Sequence, residues 1–334
     1  MAPMKYFYEL TISSSPHAHG KFTTRRIMLD VILALCPALL GAIYFFGFRA
    51  LTVTALSAAA CVFFEWGYRK IMKQDCTIGD LSAVVTGMLL AFVCPVTIPY
   101  WTIVIGDFFA IIVVKQLFGG IGKNFMNPAL AGRAFLFSWP VVMSTWVKPG
   151  FQNAAGIFST ADVVTGATPL ASLRAGTIPG EGIGKLFLGG VGGCIGETSA
   201  LLILLGFAYL LIRKVISPRI PLVYIGTVAV LTFLFPRGGD RLGWMAAEVL
   251  SGGLMLGAVF MAPDYVTSPV TKWGQVIYAL GCGVITVVIR YFGSYVEGVS
   301  YAILVMNACA ALLDKVGRPR RFGTVPKAKK EAAK

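Results

Sequence analysis

The chain has 334 residues, 57% hydrophobic and only 13% charged, against roughly 25% charged in an ordinary soluble domain; this excludes a water-soluble globule and specifies an integral membrane protein. The net charge of +14 does not indicate nucleic acid, because the lysines and arginines are dispersed over short loops and a tail, as an orientation signal is. Seven cysteines (Cys36, Cys61, Cys76, Cys94, Cys194, Cys282, Cys309) form no C-x-x-C pair and six fall in apolar runs. They read as small packing residues, with no metal site within this chain alone and only a cluster shared with a partner left open.

Residues 1–26 form a polar arm containing Ser15-Pro16-His17-Ala18-His19. Two histidines without a neighbouring carboxylate or cysteine fit a cytoplasmic arm better than a metal site. The first apolar run begins at Ile27 behind Lys21, Arg25 and Arg26 and has no small-residue cleavage site after it, so it is expected to remain as an anchor. Against the ~20 residues a crossing helix needs, ten runs qualify: approximately 27–47, 50–68, 81–99, 101–118, 127–146, 186–212, 220–236, 242–262, 274–290 and 298–314. Several are irregular. The third ends in Cys94-Pro95-Val96-Thr97-Ile98-Pro99, the fifth contains Arg133 and Pro140, and the sixth opens on Gly189-Gly190-Val191-Gly192-Gly193. Such breaks persist at membrane depth only where protein or a water cavity receives the freed backbone groups.

The two halves repeat. Phe118 to Leu130 aligns with Phe292 to Leu304 without a gap, and Met88–Pro95 with Met255–Pro263 with one. Five crossings per half is an odd number, so the second copy enters the membrane inverted. The expected fold is all-α, about ten transmembrane helices in two inverted five-helix repeats with broken helices, spanning 27–146 and 185–315. Between them lies a polar loop, 147–184, and after them a basic tail, 316–334, suited to anionic lipid or a partner. With the amino terminus inside, twenty-one basic residues fall on inner segments and seven on outer ones. That bias places both termini in the cytoplasm and the 147–184 loop outside.

Intramembrane acids are costly, so Asp107, Glu197 and Glu248 are candidates for an ion or proton path, with structural pairing to Arg133 or a backbone amide as the alternative. Asp30 and Glu65, nearer helix ends, suit salt bridges or hydration, and Asp80 and Asp264 suit caps or loops. In Gly122-Lys123-Asn124-Phe125-Met126-Asn127-Pro128, Asn127 is the expected helix cap and Pro128 the first helical residue. Free amides beside Lys123 and Asn124 suit an anion or a polar ring edge, and an ordinary capped helix is the plainer account.

The polar loop holds Asp162-Val163-Val164-Thr165-Gly166-Ala167-Thr168-Pro169-Leu170. Pro169 keeps Thr168 out of helical torsions, so that its hydroxyl projects from extended chain. Composition alone would make this a bland Gly-Ala-Thr-Pro loop. The pattern Asp-x-x-Thr-Gly-Ala-Thr, however, resembles the flavinylation motif of membrane subunits in bacterial ion-pumping redox complexes. Together with Ser15-Pro16-His17, Gly122-Lys123-Asn124, Asn127-Pro128-Ala129 and Gly257 to Asp264, it makes essentially the whole chain resemble the D subunits of Rnf complexes, the bacterial ferredoxin:NAD oxidoreductases. The homologous B subunit of the sodium-pumping NADH:quinone reductase shares the motif and the ten-helix plan but has a longer amino-terminal extension.

The resemblance implies FMN esterified to Thr168, within a motif completed by Asp162, Thr165, Gly166 and Ala167. A threonine hydroxyl is a poor nucleophile, so a separate flavin transferase must load it on an exposed, unhindered segment. Arg174 and Lys185, in the same loop, are positioned in sequence to receive the phosphate charge. Lys123, Asn124 and Asn127 would help seat a second, noncovalent flavin (riboflavin) on the opposite side. The implied role is electron relay with sodium ion or proton transport in the bacterial inner membrane, alongside the C, G, E, A and B subunits. It does not include catalysis by this chain alone. Inverted repeats with broken helices equally suit a small-solute channel or secondary transporter, and a purely structural anchor subunit is a third possibility.

Overall fold

The computed structural model describes residues 23–150, 166–180, 182–293, 295 and 297–316. Asp162 and Thr165, most of the amino-terminal arm and all but the first residue of the basic tail lie outside these. All extended regular elements among the described residues are helices: α1 (Thr24–Phe46), α2 (Phe48–Ile71), α3 (Ser82–Phe92), α4 (Tyr100–Phe108, continuing as π-helix over Phe109–Gln116), α5 (Pro128–Leu136), α6 (Pro140–Met143), α7 (Pro169–Arg174), α8 (Ile183–Leu188), α9 (Ala200–Ile212), α10 (Arg219–Leu234), α11 (Arg241–Leu250), α12 (Leu254–Leu256, continuing as π-helix over Gly257–Met261), α13 (Lys272–Phe292) and α14 (Val299–Val316).

Each of the ten apolar runs carries helix, but crossing length is another matter. Four helices, α1, α2, α13 and α14, are long and apolar enough to span a bilayer. α11 with the segment from Leu254 to Met261, bent by 63° at the break, makes a fifth where the bent pair is taken as one span. The other five runs carry shorter or interrupted helices, as the expectation of broken helices allows. The interruptions have local causes. In the third run helix ends at Phe92, before Pro95 and Pro99 remove amide donors. In the sixth, Gly189 and Gly190 hold φ of 112° and 95°, backbone that side-chain-bearing residues rarely adopt, and helix resumes only at the Ser199 cap.

Buried arginines receive the carbonyls these breaks release. Arg49 donates from Nε to Val96 O at 2.8 Å and from Nη2 to Ile98 O at 3.1 Å. Arg290 donates from Nη1 to Glu248 O at 2.6 Å and from Nη2 to Ser251 O at 3.1 Å. Position along the chain counts both as outer-loop charges, yet both are 4% exposed. Lys115, counted on the inner side, is also buried, against Glu65 at 2.7 Å. Removing these from the orientation count leaves twenty inner and five outer basic residues (21 − 1 and 7 − 2), so the sign of the bias survives.

In the core, α1 packs on α2 and α9, α2 on α3 and α4, α10 on α11 and α13, and α13 on α14, which reaches back to α5. Small residues permit the closest approaches. A Cβ on Gly87 of α3 would lie 2.7 Å from Ser57 O and from Ala58 Cα of α2. Outward-facing residues such as Leu40, Tyr44, Leu205, Ile212, Leu222 and Val288 are exposed, a surface expected to meet lipid or partner subunits rather than water.

Candidate functional site: a cavity beneath Thr168

Thr168 caps α7, with φ −80° and ψ 156°, and its Oγ1 accepts from the Ala171 amide at 3.3 Å. The extended torsions expected from Pro169 are present. The hydroxyl is half-buried rather than freely exposed, while Ala167 beside it is exposed. Gly166 donates its amide to Trp146 O at 3.1 Å, and Lys148 lies over it, close enough that a Cβ there would sit 2.8 Å from Lys148 Cγ.

Below Thr168 opens a cavity of about 450 Å³, within the roughly 300–1,000 Å³ of small-molecule pockets. One wall is Gly166–Ala171. Phe137, Trp146 and Tyr295 add aromatic rings to the lining, and the floor holds Arg133, Glu197 and Glu297 beside Gly193 and Gly252. Three breaks converge here: the α5–α6 joint, the glycine run before α9 and the α11–α12 bend. Helix-breaking sequence therefore leaves room for a ligand where regular helices would close the bundle.

The floor is a charge cluster. Arg133 forms an ion pair with Glu297, donates from Nη1 to Ser300 Oγ at 2.8 Å and lies with Nη2 3.6 Å from Cys194 Sγ. Its Nε has no partner among the described residues, although Arg133 is only 2% exposed. Glu297 also accepts from the Gly253 amide at 2.8 Å, and Glu197 Oε2 accepts from the Cys194 amide at 3.4 Å. The Cys194, Glu197 and Glu297 ligand atoms lie within 4.8 Å of one another. Sequence reasoning singles out Glu197 and Arg133 but not Glu297 or Cys194. Glu297 lies within the aligned repeat segment, and only its depth in the fold distinguishes it from a loop acid.

Arg174 does not line the cavity. It donates from Nη2 to Gly293 O at 3.0 Å, at the far end of α7 from Thr168. Lys185 is exposed and also outside the lining. Glu248 is paired with Arg290 at 2.9 Å, and Asp107 lies apart, on α4. The expected structural acids behave as such: Asp30 pairs with Arg213 at 3.2 Å, and Asp80 accepts from the Ser82 amide at 2.8 Å.

At the other end of α5, about 13 Å away along the helix axis by its nine residues, Asn127 is the expected cap. Its Oδ1 accepts from Ala129 N at 3.0 Å and Leu130 N at 3.4 Å, and its Nδ2 donates to Met261 O at 3.3 Å. Asn124 and Asn127 line a second cavity of about 110 Å³, together with Lys115, Phe260 and Asp264. Lys123 is exposed and does not line it. Burial pushes the Asp264 carboxyl above the usual range, opposed by hydrogen bonds from Thr267 Oγ1 at 3.0 Å and from the Val266 amide at 3.5 Å.

Comparison with known proteins follows the same outline. The chain is 48% identical over 326 residues (97% of this chain, 98% of the relative) to the D subunit of the Na(+)-translocating ferredoxin:NAD(+) oxidoreductase complex of Acetobacterium woodii. It is 44% identical over 325 residues (94% and 96%) to the D subunit of the proton-translocating ferredoxin:NAD(+) oxidoreductase complex of Clostridium ljungdahlii. It is 39% identical over 324 residues (89% and 92%) to the D subunit of the ion-translocating oxidoreductase complex of Stutzerimonas stutzeri. With the profile of that family matching residues 11–323 as well, this multi-pass membrane chain belongs to the NQR2, RnfD, RnfE family.

Proposed function

We propose that the chain is the D subunit of an ion-translocating ferredoxin:NAD oxidoreductase complex and that Thr168 carries FMN through a phosphoester. The observation that carries this reading is the cavity of about 450 Å³ lined by Thr168, with a buried arginine whose Nε has no partner among the described residues. The residues fit such a group. Thr168 Oγ1 stands at the rim, Phe137, Trp146 and Tyr295 offer ring faces, and Arg133 offers a donor to an electron-rich edge. Exposed Ala167 and nearby Lys148 leave an approach for a flavin transferase and a cation for a phosphate.

Bound there, the flavin would supply reversible electron acceptance; the chain's share is to hold and orient it and to limit water. Arg133 keeps positive charge at the floor, and Glu297 fixes its direction. The chain then acts as one redox subunit, with electrons passing to and from other Rnf-type subunits of a bacterial inner membrane. We read its ten apolar segments as two inverted five-span units, with both termini cytoplasmic and Thr168 on the outer face. Support comes from the basic-residue bias and from the alignment of Phe118 to Leu130 with Phe292 to Leu304. A noncovalent flavin such as riboflavin at Asn124 and Asn127 would require that cavity, about 110 Å³, to open toward the roughly 300 Å³ minimum of small-molecule pockets.

The test is mass spectrometry of the Thr168 peptide from native membranes, with in-gel flavin fluorescence of wild type and Thr168→Ala. An FMN-sized addition and a fluorescent band lost in Thr168→Ala are expected. An unmodified peptide from cells that contain the transferase removes the electron-carrier reading. A dark wild-type band would instead favour a secondary transporter, which the 63° bend between α11 and Leu254–Met261 also suits.

A further inference from the structure

The buried acids of this protein differ in one respect. Asp30, Glu65, Glu248 and Glu297 each have a basic partner within salt-bridge distance, and Glu197 lies in the Arg133–Glu297 cluster. Asp107, 0% exposed, has none among the described residues; the half-buried Asp264, also without one, is held instead by Thr267 Oγ1 and the Val266 amide. Asp107 Oδ1 lies 2.6 Å from Ser57 Oγ and 3.2 Å from Cys61 Sγ, and its Oδ2 has no hydrogen-bond partner among the described residues.

Proton counting decides what this arrangement holds. Ser57 Oγ also lies 2.9 Å from the carbonyl oxygen of Gly87. A serine hydroxyl donates one hydrogen. If Asp107 were an anion, both neighbours of Ser57 Oγ would be acceptors, and one short contact would contain no hydrogen. With a proton on Asp107 the count closes: Asp107 donates to Ser57, and Ser57 donates to Gly87 O. The close approach that Gly87 allows between α3 and α2 brings that carbonyl within reach. A buried carboxylate with one oxygen lacking any donor, and with no counter-ion, is strongly disfavoured.

We propose that Asp107 is a binding site for one small monovalent cation, held in this conformation as a proton on the carboxyl. The surroundings supply a route to it. Ser57, Cys61 and Glu65 recur every fourth residue and share one face of α2, turned toward Asp107 and Lys115 of α4. Past Cys61, Lys115 Nζ lies 2.7 Å from Glu65 and 2.6 Å from Ser82 Oγ, and Ser82 Oγ donates to Asp80 at 2.6 Å. Thr77, in the α2–α3 linker, donates to Glu65 at 2.6 Å. The polar ladder thus runs from the linker inward, with one helical turn, about 6 Å, between Glu65 and Cys61. The π-wound part of α4 covers this interval, and such loosened windings gather at functional positions. The charged groups around Asp107 are Glu65 and Lys115 along the ladder; Arg133 of α5 is turned to Glu297, and α3 presents Ser82, Thr86 and a carbonyl.

The experiment is infrared difference spectroscopy of the assembled complex in lipid vesicles. A protonated carboxyl C=O band is expected, shifting on deuterium exchange, absent in Asp107→Asn and displaced in Ser57→Ala, which removes the acceptor of its hydrogen bond. The Asn amide can still donate to Ser57, so that variant is expected to assemble. If it does not, Ser57→Ala alone carries the test. A wild-type carboxyl region identical to that of both variants, or of Ser57→Ala where only that variant assembles, overturns the proposal. Sodium added against potassium separates two supporting outcomes: a band bleached by sodium alone shows exchange of the proton for sodium at this carboxyl, and a band that follows only pH shows a proton site. The readout needs no flavin. The same bands in a Thr168→Ala background keep the site standing even if the cofactor reading fails.

Discussion

Replacing Arg290 by methionine tests how this fold sustains a broken helix inside a bilayer. The guanidinium, 4% exposed, meets Glu248 Oε2 at 2.9 Å and the carbonyls of Glu248 and Ser251 at 2.6 and 3.1 Å. Arg290→Met leaves Glu248 buried without its counter-ion, a loss of about 3–5 kcal/mol for a broken buried pair. The two carbonyls add about 1 kcal/mol each for the lost donors. In a Glu248→Gln background no stranded anion remains, so the same substitution should cost only the carbonyl part, about 2 kcal/mol. The difference, about 3–5 kcal/mol, is the coupling energy of a double-mutant cycle, measured by steric trapping or denaturant titration in bicelles. Equal effects of Arg290→Met in both backgrounds would refute the idea that the carboxylate is what the guanidinium neutralises.

The remaining expectations concern packing and ligand seating. Gly87→Val places a Cβ 2.7 Å from Ser57 O and Ala58 Cα, backbone atoms that cannot rotate away. It should lower the folded yield by an overpacking penalty of about 1–3 kcal/mol or more, whereas Gly67→Ala, with nothing within 4 Å, should match wild type in the same size-exclusion assay. Asn127→Ala removes the α5 cap and should destabilise by about 1 kcal/mol. It should also lower any noncovalent flavin extracted by acid while leaving the covalent band intact; loss of the covalent band instead would contradict the separation of the two cavities. Arg133→Lys, which keeps the charge but not the planar fork, should retain the flavin band and shift its midpoint potential. An unchanged potential would remove Arg133 from the cofactor's surroundings.

The sequence made the membrane class legible because apolar composition has no other stable use on this scale. It made local devices legible too. Asn127 before Pro128 is the expected cap, and Pro169 leaves Thr168 extended, because both effects depend only on neighbouring backbone. Asp30 near a helix end has its salt bridge. The destinations of Arg49 and Arg290 were not legible. Each looks like a loop charge beside an apolar run, yet each is drawn inward by carbonyls about forty or more residues away, on segments whose breaks run length does not reveal. The lengths of the individual helices were not legible for the same reason: hydropathy registers apolar residues whether they continue a helix or line a bend.

What the sequence determined by itself was the membrane class, the caps, the helix-breaking stretches and the motif that ends at Thr168. Tertiary structure alone decided that three breaks converge under that threonine, that Arg133 and Glu297 form the floor, and that Arg174 lies elsewhere. The physical reason is range. Caps and turns follow from covalent neighbours, whereas a cavity and the partner of a buried charge are fixed by segments that meet only once the helices have packed.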